Sequence, residues 1–120
     1  MATIKSYTDF SQSKKLAEIL PLESADMHYH YDNDFGELES IPTITEEDDH
    51  FSLFPKDFSC WSLASLLNVL PEPELTQGSD RRWMLRIWDK KRLPWTIGGH
   101  VNPIEACYEM IIKLHELNLL

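Results

Sequence analysis

Apolar residues in this chain recur at helical spacing in three stretches and alternate at every second position in two others, which restricts the architectures open to it. A helix buries a stripe that repeats about every 3.6 residues and a strand one that repeats every second residue, so a chain with both must cover a sheet with helices. The strands are not regularly interleaved with helices, as a doubly wound sheet would require. The fold class expected is therefore α+β, in the order α-β-α-β-β-α, with a small antiparallel sheet of about three strands packed by about three helices.

The first helix follows Asp9, which can cap it while Gln12 reaches back in a capping box; Leu16, Ile19 and Leu20 form its apolar face and Pro21 ends it. Ala25 to Tyr31 alternates as a half-buried strand, with Met27, Tyr29 and Tyr31 on one side and His28 and His30 on the other. A second helix is expected from about Ser59 to Leu70, burying Leu63, Leu66, Leu67 and Leu70 and turning Ser62, Ser65 and Asn68 outward. Pro71 to Asp80 has the composition of a connection.

Arg82 to Trp88 is the second alternating stretch, with Trp83, Leu85 and Ile87 opposed to Met84, Arg86 and Trp88. A polar turn over Asp89–Arg92 returns the chain as Leu93–Ile97, where Pro94 predicts a short or edge strand. Gly98 and Gly99 are expected to release the chain into the last helix. There Asn102 serves as N-cap and Pro103 as first helical residue, and Cys107, Met110, Ile111, Leu114 and Leu117 make a core-facing stripe.

A length of 120 residues suits one domain over 1–120. The formal charge of −9 is concentrated in the first half, where residues 1–60 carry 13 acidic and 4 basic side chains; residues 61–120 carry 7 of each. The acidic part is a loop expected at about 32–58, including Glu46, Glu47, Asp48 and Asp49, whose length without periodic apolar residues marks a functional loop or an insertion. This charge repels nucleic acid and anionic membranes, and no apolar run is long enough for a membrane span. With no secretory signal pattern at Met1–Phe10, and Cys60 and Cys107 each in an apolar helical pattern as buried free thiols, a cytoplasmic location is expected.

Few constellations suggest chemistry. His28, His30 and Asp32 share one strand face and are the weak candidates for a metal, without a third spaced ligand motif. Asp32, Asp34 and Glu37 around Gly36 miss the calcium-loop spacing, since Gly36 would fall at the fifth position rather than the sixth. No nucleophile elbow frames a serine, and Gly98-Gly99-His100 matches no phosphate-binding pattern. No catalytic residue and no cofactor is assigned, and the chain reads as a non-enzyme. The candidates for interaction are Arg82, Arg86, Trp88, Lys90, Lys91 and Arg92, together with the acidic Glu46–Asp49 run. Arginine and tryptophan serve as protein-interface anchors and as grips on unpaired nucleic acid; the alternative is that Trp83 and Trp95 are core residues.

The segments Ser6–Thr8, Lys15–Met27, Cys60–Leu67 with Val69–Pro71, Asn102–Pro103 and Ala106–Ile111 resemble a family of small uncharacterised proteins of gut Bacteroides-type bacteria, some near phage or mobile-element genes. The resemblance covers both ends and the middle helix, leaving the acidic loop and the hairpin as its variable parts. It implies a cytoplasmic bacterial setting and an accessory role, and no activity. The function expected is a non-enzymatic protein-interaction or regulatory module whose partner is another protein. The alternatives are a small-ligand or metal-binding domain and single-stranded nucleic-acid binding through the hairpin, the overall charge disfavouring nucleic acid. Trp88 and the apolar end Leu117, Leu119 and Leu120 leave a homo-oligomer open.

Overall fold

A computed structural model describes residues 6–29, 31–32, 37–38, 42–44 and 58–120. The class is α+β and the elements follow the expected order, with additional short strands. They are α1 (Phe10–Ile19), a 3-10 turn (Leu22–Ser24), β1 (Met27–Tyr29), β2 (Tyr31–Asp32), β3 (Glu37–Leu38), β4 (Thr43–Ile44), β5 (Phe58–Cys60), α2 (Leu63–Val69), β6 (Glu74–Gln77), β7 (Trp83–Trp88), β8 (Pro94–His100) and α3 (Pro103–Glu116). The described residues fall into two compact units, Tyr7–Ser65 and Leu66–Leu120 with Ser6.

In the first unit β1 is the central strand of an antiparallel sheet ordered β4-β1-β5, with Met27 opposite both Ile44 and Cys60, and β2 pairs with β3 as a separate ribbon. The acidic stretch thus contains short strands, each too brief to show a period in sequence. Helix α1 begins as expected: Asp9 accepts from the Gln12 amide at 2.8 Å and Gln12 Oε1 accepts from the Asp9 amide at 3.1 Å. Its buried face includes Leu16, but also Gln12 and Ser13.

Gln12 is satisfied within the cap by Asp9, and Ser13 by Thr8, a fully buried residue around which the unit is organised. Its amide donates to the Trp61 carbonyl at 3.0 Å, and its hydroxyl accepts from the Trp61 amide at 3.1 Å and lies 2.8 Å from Ser13 Oγ. Its carbonyl accepts from the Tyr29 hydroxyl at 2.7 Å and from the Cys60 thiol at 3.4 Å. One threonine therefore joins the entry to α1, strand β1 and the end of β5. Phe10 packs on the Tyr29 ring at 4.2 Å between centroids.

The second helix is shorter than expected. Ser59 and Cys60 belong to β5, and the helix starts only after Ser62, whose hydroxyl accepts from the Ser65 amide at 3.2 Å as an N-cap does. Asp26 fixes that cap, accepting from the Ser62 amide at 2.9 Å and from the Ser62 hydroxyl. Ser65, expected outward, is buried because its hydroxyl donates to the Ser62 carbonyl at 2.9 Å.

The second unit is an antiparallel sheet, β6-β7-β8, with α3 packed on β7 and β8. The expected stripe of Cys107, Met110, Ile111 and Leu114 is buried, as are Leu85 and Ile87 of β7 and Ile97 of β8. Leu117, placed in that stripe by sequence, is 46% exposed because the helix ends at Glu116. Asn102 is the N-cap and Pro103 the first helical residue, although the Asn102 side chain makes no capping hydrogen bond. Pro71–Asp80, a connection by composition, contains β6, which pairs along its length with β7 from Glu74↔Arg86 to Gln77↔Trp83. Pro94 correctly marks an edge strand, but β8 is long: it continues through Gly98 and Gly99 to His100. A bulge takes up the mismatch between Leu85↔Ile97 and Trp83↔His100.

Paired substitutions at Thr8 and at the two glycines separate these effects. Thr8→Val leaves the buried Trp61 amide without its acceptor and should cost about 1–3 kcal/mol in chemical denaturation, most of it recovered by Thr8→Ser. At the bulge, Gly99 sits at φ +82° and Gly98 meets only ordinary contacts with Met84 at 3.7 Å. Gly99→Ala should therefore cost about 1 kcal/mol or more while Gly98→Ala costs little, measured the same way.

Candidate functional site

Strand β7 carries the interaction candidates because of its alternation. Leu85 and Ile87 are buried, Trp83 is half-buried, and the intervening Met84 and Arg86 are exposed. Arg82 and Trp88 share the parity of Met84 and Arg86, so Arg82, Met84, Arg86 and Trp88 run along one outer face. Register adds Glu74 and Thr96 on either side of Arg86, and Thr76 beside Met84. Six residues of strand make this stripe about 20 Å long.

Turns of one design bound the stripe at its two ends. At the β6–β7 end the Gly78 amide donates to the Arg82 carbonyl and the Arg81 amide to the Gly78 carbonyl, both at 2.9 Å, with Arg81 at φ 64°. At the β7–β8 end the Asp89 amide donates to the Leu93 carbonyl at 3.0 Å and the Arg92 amide to the Asp89 carbonyl at 2.9 Å, with Arg92 at φ 63°. Each is a type I turn closed by a left-handed residue, a position glycine fills at least cost. Here both are arginines. Arg92 reaches back to both carboxylate oxygens of Glu72, each at 3.1 Å. Arg82 donates to the Gly99 carbonyl at 2.9 Å, which carries its cation across to β8.

The tip itself is organised by Asp89, only 5% exposed, a residue that sequence had marked only as part of a polar turn. Its carboxylate accepts from the Lys91 amide at 2.8 Å, the Leu93 amide at 3.0 Å and Trp95 Nε1 at 2.8 Å. The bond from Trp95, then those from the backbone amides, hold the Asp89 carboxyl below the usual carboxylate range. An aspartate opening a tight turn was the available signal. Lys90 and Lys91 are thereby presented outward, both exposed.

The hairpin tryptophans differ. Trp95 is engaged at its edge by Asp89 and has Lys113 Nζ 5.9 Å from its ring centroid. Trp83 has its Nε1 buried with no hydrogen-bond partner among the described residues. Trp88, half-buried on the outer face, is the aromatic that the stripe offers. His100 at the end of β8 bonds to Glu109 of α3 and ties that strand to the helix.

The remaining sequence candidates are not brought together. His28 is half-buried in β1 between Thr43 and Ser59; His30 and the Glu46-Glu47-Asp48-Asp49 run lie outside the described residues, as does the Asp32 side chain. No group of His, Cys, Asp or Glu suited to a metal occurs among the described residues. Burial raises the Cys60 thiol above its ordinary value and pushes Cys107 up to about 12, so both remain protonated at neutral pH. Both are free thiols.

No helix among the described residues is long and apolar enough to cross a membrane. No family model, curated protein or solved structure matches the chain.

Because Asp89 titrates lower when folded than when unfolded, its contribution to stability is present above the unfolded carboxylate pKa and lost as pH falls through the folded one. The difference in Tm between the wild-type chain and Asp89→Asn, read by tryptophan fluorescence, should be largest near neutral pH and shrink below about pH 4.

Proposed function

We propose that the chain is a non-enzymatic interaction module that holds an acidic protein segment against the outer face of the β6-β7-β8 sheet. The supporting observation is the exposed row of Arg82 and Arg86, with Met84 and Trp88 interleaved, on the face of the sheet opposite α3, together with the exposed Lys90 and Lys91 of the turn that ends it. Cations beside an exposed methionine and a half-buried tryptophan match the composition of protein-interface anchors. Arginine at the two left-handed turn positions adds to the case, since glycine would relieve backbone strain there and contribute no charge.

Binding of single strands by stacking is less well supported. It needs free aromatic faces in series, and Trp95 is engaged by Asp89 and Lys113. The formal charge of −9 also opposes a polyanion at long range. The bacterial and mobile-element setting implied by the family resemblance, and a cytoplasmic location, form part of this proposal.

Fluorescence anisotropy with a labelled oligoglutamate peptide and a labelled oligothymidylate tests the reading. The peptide should bind more tightly than the nucleic acid, and Arg86→Glu should weaken the peptide by about fivefold or more, the value of one exposed ion pair near 1 kcal/mol. Arg81→Gly should also weaken it while leaving stability unchanged or raised by up to about 1 kcal/mol. Equal peptide affinity in all three proteins would remove the proposal.

A further inference from the structure

Among the described residues, strand β8 is hydrogen-bonded in the sheet to β7 alone. In an antiparallel pair, opposed residues alternate between exchanging backbone hydrogen bonds and turning those groups away. The phase is set at the hairpin, where the Asp89 amide bonds to the Leu93 carbonyl. Counting from there, Ile87↔Trp95 and Leu85↔Ile97 are the bonded pairs, while Trp88↔Pro94 and Arg86↔Thr96 are not. The Trp88 amide confirms the phase, since it points away from β8 and donates to the Pro71 carbonyl at 3.3 Å.

It follows that the Pro94 carbonyl and both backbone groups of Thr96 face the free side of the strand. Because the Ile97 carbonyl turns toward β7, the trans peptide directs the Gly98 amide to the free side as well. Pro94 occupies a position where a missing N–H costs the ladder nothing. Pro94, Thr96, Gly98 and Gly99 are all exposed.

Edges of this kind are templates for another strand, and proteins commonly guard them with lysine or inward charge. β8 itself carries no lysine, arginine, aspartate or glutamate. Its basic neighbours come from β7 and the turns. Arg86 stands directly opposite Thr96, Arg82 reaches the Gly99 carbonyl, and Lys90 and Lys91 flank the start of the strand. A further strand would lie about 4.8 Å beyond β8, within reach of a long Arg86 side chain passing over the small Thr96 and Gly98. Glu74 lies on the opposite edge strand, β6, and Glu72 is neutralised by Arg92 of the β7–β8 turn. The charge across the sheet thus favours an acidic chain on the β8 side.

We infer that β8 is a docking edge at which an extended acidic segment of a partner protein pairs as a fourth strand, its carboxylates meeting Arg82, Arg86 and the turn lysines. This rests on the basic face proposed above and specifies how that face is used: backbone pairing supplies the register and the cations select the sequence.

The full chain is titrated at constant ionic strength with a labelled peptide of about ten residues in which threonine and glutamate alternate. A second peptide has the same sequence with two adjacent central residues N-methylated, which blocks both of its edges and leaves its charge unchanged. The unmodified peptide should bind at least about tenfold more tightly than the methylated one, a difference near 1.4 kcal/mol. Thr96→Pro, shown to be folded by circular dichroism, should abolish that preference; if it does not fold, the peptide pair still decides. Equal binding of the two peptides would overturn edge pairing while leaving acidic capture intact. Failure of both peptides would overturn edge pairing and acidic capture together, and tighter binding of an oligothymidylate would redirect both to nucleic acid.

Discussion

The candidate surface depends on the register of β7. With Leu85 and Ile87 buried, the alternation leaves no choice about Met84 and Arg86: they must face away. A slip by one residue would carry Arg86 and Met84 inward and expose the apolar set, an exchange that buried carbon would resist at about 25 cal/mol per Å². Apolar burial against α3 and exposure of the basic row are therefore two consequences of one constraint. The turns reinforce it, since each fixes which residues of neighbouring strands stand opposite. Two arginines in left-handed conformation show that this geometry is held even where the residue does not favour it.

Each unit also has one short polar residue on which several donors converge, at the carbonyl and hydroxyl of Thr8 and at the carboxylate of Asp89. Thr8 receives bonds from the Trp61 amide, the Tyr29 hydroxyl and the Cys60 thiol; Asp89 receives them from two backbone amides and an indole. In both cases the alternative is a set of donors closed off from water and unpaired, which costs more than the bonds themselves contribute. The hubs differ in charge. Burial surrounds Thr8 with neutral partners and raises Tyr29 and Cys60 above their ordinary pKa values, whereas Asp89 remains an anion because its hydrogen-bond partners donate to it.

Sequence showed most clearly those features that are written as a period. The Asp9–Gln12 capping box, the stripe from Cys107 to Leu114 and the two faces of β7 all depend on near neighbours in the chain, and each is present. What escaped depends on distant partners. Strand β6 has a single apolar residue, the half-buried Leu75, and is a strand because Leu75 and Thr76 find Leu85 and Met84. Cys60 and Ser59 follow a helical apolar pattern but pair with Met27 and His28. Ser65 and Gln12 are polar and buried because hydrogen bonds available only in the folded unit, or within the cap, satisfy them. The basic cluster was legible as composition; its arrangement into an outer row beside a free edge required β6 and the Gly98–Gly99 bulge.

A basic row on a chain of formal charge −9 raises a question of range. Charge interactions between exposed groups fade over about 8 Å at physiological salt, so an acidic partner approaching from afar meets the net negative field and one already in contact meets mainly the nearest side chains. Encounter is thus slowed for any polyanion, while the proposed bound state would depend on local matches at Arg82, Arg86 and the turn lysines. A partner held only by diffuse charge would lose on both counts. A segment that also forms backbone hydrogen bonds along β8 retains interactions that salt does not screen, and its carboxylates need to be correct only at a few positions. Under the docking proposed for β8, the excess of acid elsewhere in the chain would act as a filter against polyanions that cannot make the strand pairing.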